Sequence, residues 1–257
     1  MSRPLEGRVA LVTGGGRGIG KGIARRLARD GGRVVIAQRD EASAQEAVEQ
    51  ITTDGGIADF VRTDIGSPAD VQAAVDFVVA RHERLDILVN NAGATGADGS
   101  ILDMPLEKWQ RMVDVNLTSV FVASQAAARV MVEKGDGGRI INIGSINSFR
   151  AQPMACNYVA TKGAIPLLTM ALAMDLSPHN ILVNAIAPGA ISTERTGPRL
   201  LNPEYRGMIE RSIPLRRTGL VEEIAAVAAF LASGEATYIQ GETIAVDGGI
   251  LAYLRLD

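Results

Sequence analysis

The chain holds one cysteine, Cys156, and two histidines, His82 and His179, among its 257 residues. A single thiol excludes an internal disulfide and suits a reducing cytoplasm. Neither histidine has a Cys/His cluster around it, so no metal site is expected. Charge is nearly balanced, with 26 basic against 29 acidic residues and a net of −3. With no long run of either sign, neither nucleic acid nor an anionic membrane surface is an expected partner. Arg25, Arg26 and Arg29 cluster, but at helical spacing they read as a solvated face. The N-terminus lacks a charged-then-apolar signal pattern. No apolar run approaches the roughly 18 residues of a membrane span, and Ile224 to Ala232 is the longest clear one. A cytoplasmic protein without a membrane partner is expected.

What the chain does have is apolar content, 47% of its residues, enough for one sizeable core. Short β-branched runs recur at Arg8–Thr13, Val34–Ala37, Ala58–Arg62, Ile87–Val89, Ile140–Ile143, Ile181–Ala187 and Thr243–Val246. Helical spacing fills most intervals, at Lys21–Asp30, Glu41–Ile51, Pro68–Arg81, Pro105–Glu133, Met154–Asp175 and Val221–Leu231. Alternation of this kind predicts a single doubly wound α/β domain over residues 1–257, with a seven-stranded parallel sheet and helices on both faces. Ligands of such sheets bind beyond the carboxyl ends of the strands. The longest irregular stretch, 189–214, is punctuated by Pro198, Pro203 and Pro214 around a short helix-like piece at Glu204–Arg211. A connection this long reads as a segment capping a substrate.

Three motifs fall at strand ends or on the helix that follows. Gly14-Gly15-Gly16-Arg17-Gly18-Ile19-Gly20 joins the first strand to the first helix. Glycines there let a pyrophosphate approach the backbone, and the helix start offers free N–H groups to it. Asn90-Asn91-Ala92-Gly93 reads as a second loop at the same sheet edge. Tyr158 and Lys162, four positions apart, share one face of a helix, with Ser145 thirteen positions before the tyrosine. A free tyrosine ionises at about pH 10, and an adjacent ammonium favours the phenolate. Lowering that pKa by about three units takes about 4 kcal/mol of preferential stabilisation.

Together with Thr13, Asn116 and Pro188-Gly189, these motifs follow the order and spacing of the short-chain dehydrogenase/reductase family, which the chain resembles from Leu5 to Gly249. The resemblance implies a Rossmann-like fold and an NAD(P)-dependent oxidoreductase exchanging hydride between a nicotinamide and a carbonyl or secondary alcohol. Tyr158 would be the general acid or base, and Lys162 would lower its pKa while gripping the nicotinamide ribose. Ser145 would hold the substrate oxygen, and Asn116 would hold a water linking Lys162 to solvent. Gly14, Arg17, Gly18, Ile19, Gly20, Asn91, Ala92 and Gly93 would cradle the cofactor. Asp64 and Ile65 would meet its adenine, and Pro188, Gly189, Ile191 and Thr193 would shape the nicotinamide pocket. The end of the chain, Ala229–Gly248 with Asp247-Gly248-Gly249, resembles the homotetramer-forming members. Leu215–Asp247 looks like 3-oxoacyl-carrier-protein reductases and equally like glucose-type sugar dehydrogenases. A non-catalytic sensor or scaffold of the same fold is the alternative, although such proteins typically lose the tyrosine or lysine.

Cofactor choice turns on Gln38, which occupies the place where an acid about 20 positions past the glycine turn would hold the adenosine ribose. Arg39 and Arg17 could clasp a 2′-phosphate, which points to NADP(H), with NAD(H) as the alternative and Asp40 as contrary evidence. Pro166, one turn after Lys162, cannot donate to the Lys162 carbonyl and is expected to loosen or kink that turn.

Overall fold

A computed structural model of the chain describes residues 3–96 and 99–253; residues 1–2, 97–98 and 254–257 of the expected domain lie outside the described residues. The strands are β1 (Val9–Thr13), β2 (Arg33–Gln38), β3 (Ile57–Arg62), β4 (Ile87–Asn90), β5 (Gly138–Ile143), β6 (Ile181–Pro188), the two-residue β7 (Ile191–Ser192) and β8 (Gly219–Leu220), and β9 (Thr243–Val246). The helices are α1 (Gly18–Arg29), α2 (Glu41–Thr53), α3 (Pro68–His82), α4 (Leu106–Val113), α5 (Ser119–Lys134), α6 (Cys156–Leu176), α7 (Gly197–Leu200), α8 (Pro203–Ser212) and α9 (Val221–Ala232).

Seven strands form one parallel sheet in the order β3-β2-β1-β4-β5-β6-β9, while β7 and β8 pair separately. Val12 of β1 aligns with Ile36 of β2 on one side and Val89 of β4 on the other. The central strands are mostly apolar because helices cover both faces. On one face α1, α2 and α9 pack through Ile23, Leu27, Ala47, Ile51, Ile224 and Ala228. On the other, α3, α5 and α6 pack through Val75, Val78, Ala127, Met131 and Ala173. The chain runs outward from β1 to β3 and then returns to begin β4 beside β1. That reversal opens a crevice past the carboxyl ends of β1 and β4, which is where the glycine turn and Asn90–Gly93 lie.

Local chemistry sets the helix ends. Ser67 caps α3 by accepting the Asp70 N–H at 3.3 Å, with Pro68 in the first turn. Residues 189–214, expected to be largely irregular, instead contain β7, α7 and α8. Pro198 and Pro203, two of the prolines that punctuate it, lie in the first turns of α7 and α8, where the missing N–H costs nothing. Asn202 then caps α8 by accepting the N–H groups of Glu204 and Tyr205 at 2.9 and 3.1 Å.

The expected helix Pro105–Glu133 is likewise not uniform. A π-helical turn at Asp114–Thr118 separates α4 from α5. By length and composition, 106–134 and 156–179 are each apolar enough to cross a membrane. Small and polar residues interrupt the apolar ones, so a search for unbroken runs misses them. In the fold they pack on the sheet, α5 through Ala123 and Ala127 and α6 through Ile165 and Ala173.

Candidate active site

Thr13 ends β1 and ties the two loops of the crevice together. Its hydroxyl accepts the N–H groups of Asn91 and Ala92, each at 3.0 Å. The Asn91 amide returns two bonds, to the carbonyls of Thr13 at 2.9 Å and Gly14 at 3.1 Å. Gly14 and Gly18 have φ of +66° and +51°, the left-handed region that glycine enters at no steric cost. A Cβ on Gly20 would stand 2.2 Å from the Gly14 carbonyl oxygen, so the turn closes only on a hydrogen. Ile19, in the first turn of α1, is partly buried and packs against the core.

Helix α1 starts without a side-chain cap of its own. The Gly18 N–H is taken instead by Glu194 Oε2, from the capping segment, at 3.0 Å. A carboxylate at that point is what a helix N-terminus favours. The turn therefore accepts an anion, and its residues fit a dinucleotide pyrophosphate.

At the ribose end, Gln38 folds under the turn. Its Oε1 accepts the Gly16 N–H at 2.9 Å, and its Nε2 donates to the Asp40 carbonyl at 2.9 Å and to Ser43. The two flanking guanidiniums each face an acid, Arg17 with Asp40 and Arg39 with Asp64 at 3.8 Å. Asp64 Oδ1 also accepts the Gly66 N–H at 3.0 Å. Ile65 packs against the core on the α3 side.

The proton-transfer candidates meet at the ends of β4 and β5. Ser145 follows β5 and accepts the Asn147 N–H at 3.1 Å. Lys162 is buried, and its Nζ donates to the Ile143 carbonyl at 2.8 Å. Asn116 is buried in the π-helical turn. Its Oδ1 accepts the Ala94 N–H at 2.7 Å, and its Nδ2 donates to the Ala94 carbonyl at 2.9 Å. Gly93 adjoins both, since a Cβ there would lie 3.2 Å from Asn116 Oδ1 and 3.8 Å from Lys162 Nζ. Ser145, Tyr158, Lys162 and Asn116 are therefore drawn into one neighbourhood.

Burial pushes the Tyr158 phenol above its ordinary pKa, and a hydrogen bond with Ser145 and the charge of Arg195 only partly oppose it. Burial also pulls the Lys162 ammonium down to about 8. Each group is penalised for leaving water, and the amine turns to the Ile143 carbonyl instead.

Pro166 lies inside α6, which continues through it to Leu176. The Lys162 carbonyl that Pro166 cannot serve accepts the Ser148 hydroxyl at 2.7 Å. Ser148 Oγ in turn accepts the Ser145 N–H at 3.3 Å. The anticipated loosening is thus replaced by a strap between the Ser145 turn and the helix of Tyr158 and Lys162.

The remaining expected residues line the far wall. Pro188 ends β6, and a Cβ on Gly189 would stand 2.7 Å from the Asp247 backbone. Ile191 is buried, and the Thr193 N–H donates to Thr196 Oγ1 at 2.9 Å. Sequence reasoning missed Ser148 and saw Glu194 and Arg195 only as charges of the capping segment, without a partner for either. It also missed a buried chain in which Asn90 Nδ2 donates to Asn142 Oδ1 and Asn142 Nδ2 donates to Thr169, both at 2.9 Å. A polar Asn142 in an apolar strand was the one available signal.

The profile of a family described as Enoyl-(Acyl carrier protein) reductase matches residues 14–251. Glucose 1-dehydrogenase 2 of Bacillus subtilis (strain 168) is 38% identical over 254 residues, with 98% of each chain covered. A short-chain type dehydrogenase/reductase from Mycobacterium marinum superposes with a TM-score of 0.92 at 37% identity, again covering 98% of both chains. A gluconate 5-dehydrogenase from Burkholderia cenocepacia J2315, in complex with NADP and tartrate, superposes at 0.91 with 37% identity, covering 98% of this chain and 99% of that one. Fold and crevice together define a dehydrogenase/reductase acting on alcohol and carbonyl groups. The chain belongs to the short-chain dehydrogenase/reductase family.

Two outcomes follow from the α6 geometry. Ser148→Ala should cost about 1–3 kcal/mol by leaving the buried Lys162 carbonyl without a donor. In a Pro166→Ala background, which restores a backbone N–H, the same change should cost far less. Urea unfolding of the four proteins measures this coupling, and equal costs in both backgrounds would refute the strap. For Lys162, a folded pKa of about 8 lies below the unfolded value, so charging it destabilises the fold at neutral pH and the penalty fades as pH rises from about 8 toward the unfolded pKa. The stability gained by Lys162→Met over wild type should accordingly shrink by about 2 kcal/mol between pH 7 and pH 10 in the cofactor-free protein.

Proposed function

We propose that the chain is an NADP(H)-dependent dehydrogenase interconverting a secondary alcohol and its carbonyl on a small polyhydroxylated substrate. The observation that carries this reading is the meeting of Tyr158 with Ser145, beside buried Lys162, in a crevice whose helix terminus accepts an anion. When bound, a nicotinamide cofactor supplies the hydride chemistry. Tyr158 moves the proton. Kept neutral by burial, it is ready to donate to a developing alkoxide, which suits the reductive direction at neutral pH. Ser145 holds the substrate oxygen against the Tyr158 hydroxyl. Lys162, still mostly charged at neutral pH, favours the phenolate that remains and grips the nicotinamide ribose. The Asn116 amide is spent on Ala94, so a water linking Lys162 to solvent would bond to the main chain of the π-helical turn.

The NADP assignment rests on Gln38, which removes the acid that would repel a 2′-phosphate, and on Arg17 and Arg39 beside it. Their partners Asp40 and Asp64 are exposed, and exposed ion pairs contribute about 0–1 kcal/mol, so a phosphate can displace them. The glucose and gluconate dehydrogenases among its relatives favour a sugar-type substrate over a 3-oxoacyl thioester.

Following NADP reduction with a panel of sugars, sugar acids and simple alcohols tests the activity. Tyr158→Phe should lower kcat at least about a hundredfold. The variant should still bind NADPH in a fluorescence titration, and retained turnover would remove the phenol from the mechanism.

We also propose a homotetramer in which the outer face of α6 is covered by a second copy. Leu167 and Met174, two turns apart on that face, are 70% and 63% exposed, and no charged residue lies between them. Phe121 of α5 is also exposed. Replacing Leu167 and Met174 together by Glu should lower the mass seen by light scattering. An unchanged mass would place the interface elsewhere.

A further inference from the structure

The four residues Thr193–Thr196 span the crevice from its cofactor side to its substrate side. Thr196 holds this turn by donating to the Ile191 carbonyl at 2.8 Å and accepting the Thr193 N–H at 2.9 Å. From it, Glu194 reaches back to the Gly18 N–H. Arg195 reaches the other way and donates from its guanidinium to the Thr95 hydroxyl, in the loop that follows Asn90–Gly93. Its charge is felt at the Tyr158 hydroxyl, where it favours the ionised form against burial.

Among the described residues, no carboxylate lies within ion-pair distance of Arg195, whereas Arg17 and Arg39 on the cofactor side each face an acid. A guanidinium has five N–H donors in a planar fork, and Thr95 engages only part of that fork. The donors left over match a planar anion in a bidentate manner, which a carboxylate satisfies better than a lone hydroxyl. A substrate whose alcohol carbon meets Tyr158 and Ser145 would bring its other substituents under Arg195. We propose that Arg195 binds a carboxylate on the substrate, so that the preferred substrates are hydroxy or oxo acids of the sugar-acid type. This rests on the reading of Tyr158 as the proton-transfer group. A phosphate ester offers a related anion, and the test separates the two.

The test compares wild type, Arg195→Gln and Arg195→Lys with D-gluconate, D-glucose and glucose 6-phosphate, each with NADP. Wild type should favour gluconate over glucose in kcat/KM. Arg195→Gln should lower that ratio at least tenfold, chiefly through KM, and Arg195→Lys should recover part of it. Independently, quenching of bound NADPH fluorescence should show gluconate binding to the wild-type NADPH complex at least tenfold more tightly than to the Arg195→Gln complex. Parallel losses on gluconate and glucose, or no gluconate binding to wild type, would overturn the assignment. A preference for glucose 6-phosphate over gluconate would overturn the carboxylate in favour of a phosphate. Failure of the dehydrogenase reading itself looks different: no substrate would be turned over, and Tyr158→Phe would match wild type.

Discussion

Pro166 has no N–H to offer the Lys162 carbonyl, and the Ser148 hydroxyl serves that carbonyl instead. The rest of the candidate site depends on this substitution of partners. A buried carbonyl must find a donor, because leaving it unpaired costs about 1–3 kcal/mol. The donor comes from a turn in which Ser148 also accepts the Ser145 N–H. The helix that presents Tyr158 and Lys162 is therefore fixed to the turn that presents Ser145 by two consecutive hydrogen bonds. On the opposite side, Asn116 is held to the Ala94 backbone, and Thr13 and Asn91 join β1 to the loop after β4. Each link replaces a backbone partner that regular secondary structure would have supplied.

The same enclosure that orders these groups works against their ionisation. Tyr158 is pushed toward the neutral phenol, and Lys162 is pulled down to about 8. A pair of this kind at the surface would titrate near its ordinary values. Out of water, however, a nearby charge acts on each group more strongly than it would at the surface. One more cation beside Tyr158 would favour the phenolate, while an anion neutralising Arg195 would favour the phenol. The charge carried by whatever fills the crevice is then part of how easily the proton moves.

Much of the fold was legible because both periodicities were clean. Seven apolar β-branched runs alternated with helical stretches, and each became a strand of the parallel sheet within a few residues of its expected limits. The glycine turn was legible because the left-handed φ of Gly14 favours glycine and the approach of Gly20 to the Gly14 carbonyl leaves no room for a Cβ. The π-helical turn was not, since Asp114–Thr118 carries no proline or glycine and is shaped by the distant Ala94. Pro166 was visible as a defect, but its remedy lay in Ser148, eighteen positions earlier and across a turn. The capping segment read as irregular because prolines mark helix starts as readily as helix ends. Spacing put Lys162 one turn from Tyr158 but said nothing of the burial that acts on both groups.

Glu194 and Arg195 show why adjacent residues of opposite charge need not form a local pair. The turn fixed by Thr196 sends them apart, the acid to the N-terminus of α1 and the base to the loop bearing Thr95. A helix start and a guanidinium are both anion sites, and the chain satisfies the first with its own carboxylate. One backbone N–H cannot serve Glu194 and a pyrophosphate oxygen together, so an anion entering the glycine turn must move the Glu194 carboxylate away. The four-residue turn thus touches both sides of the crevice, through Glu194 at the glycine turn and through Arg195 at the loop bearing Thr95.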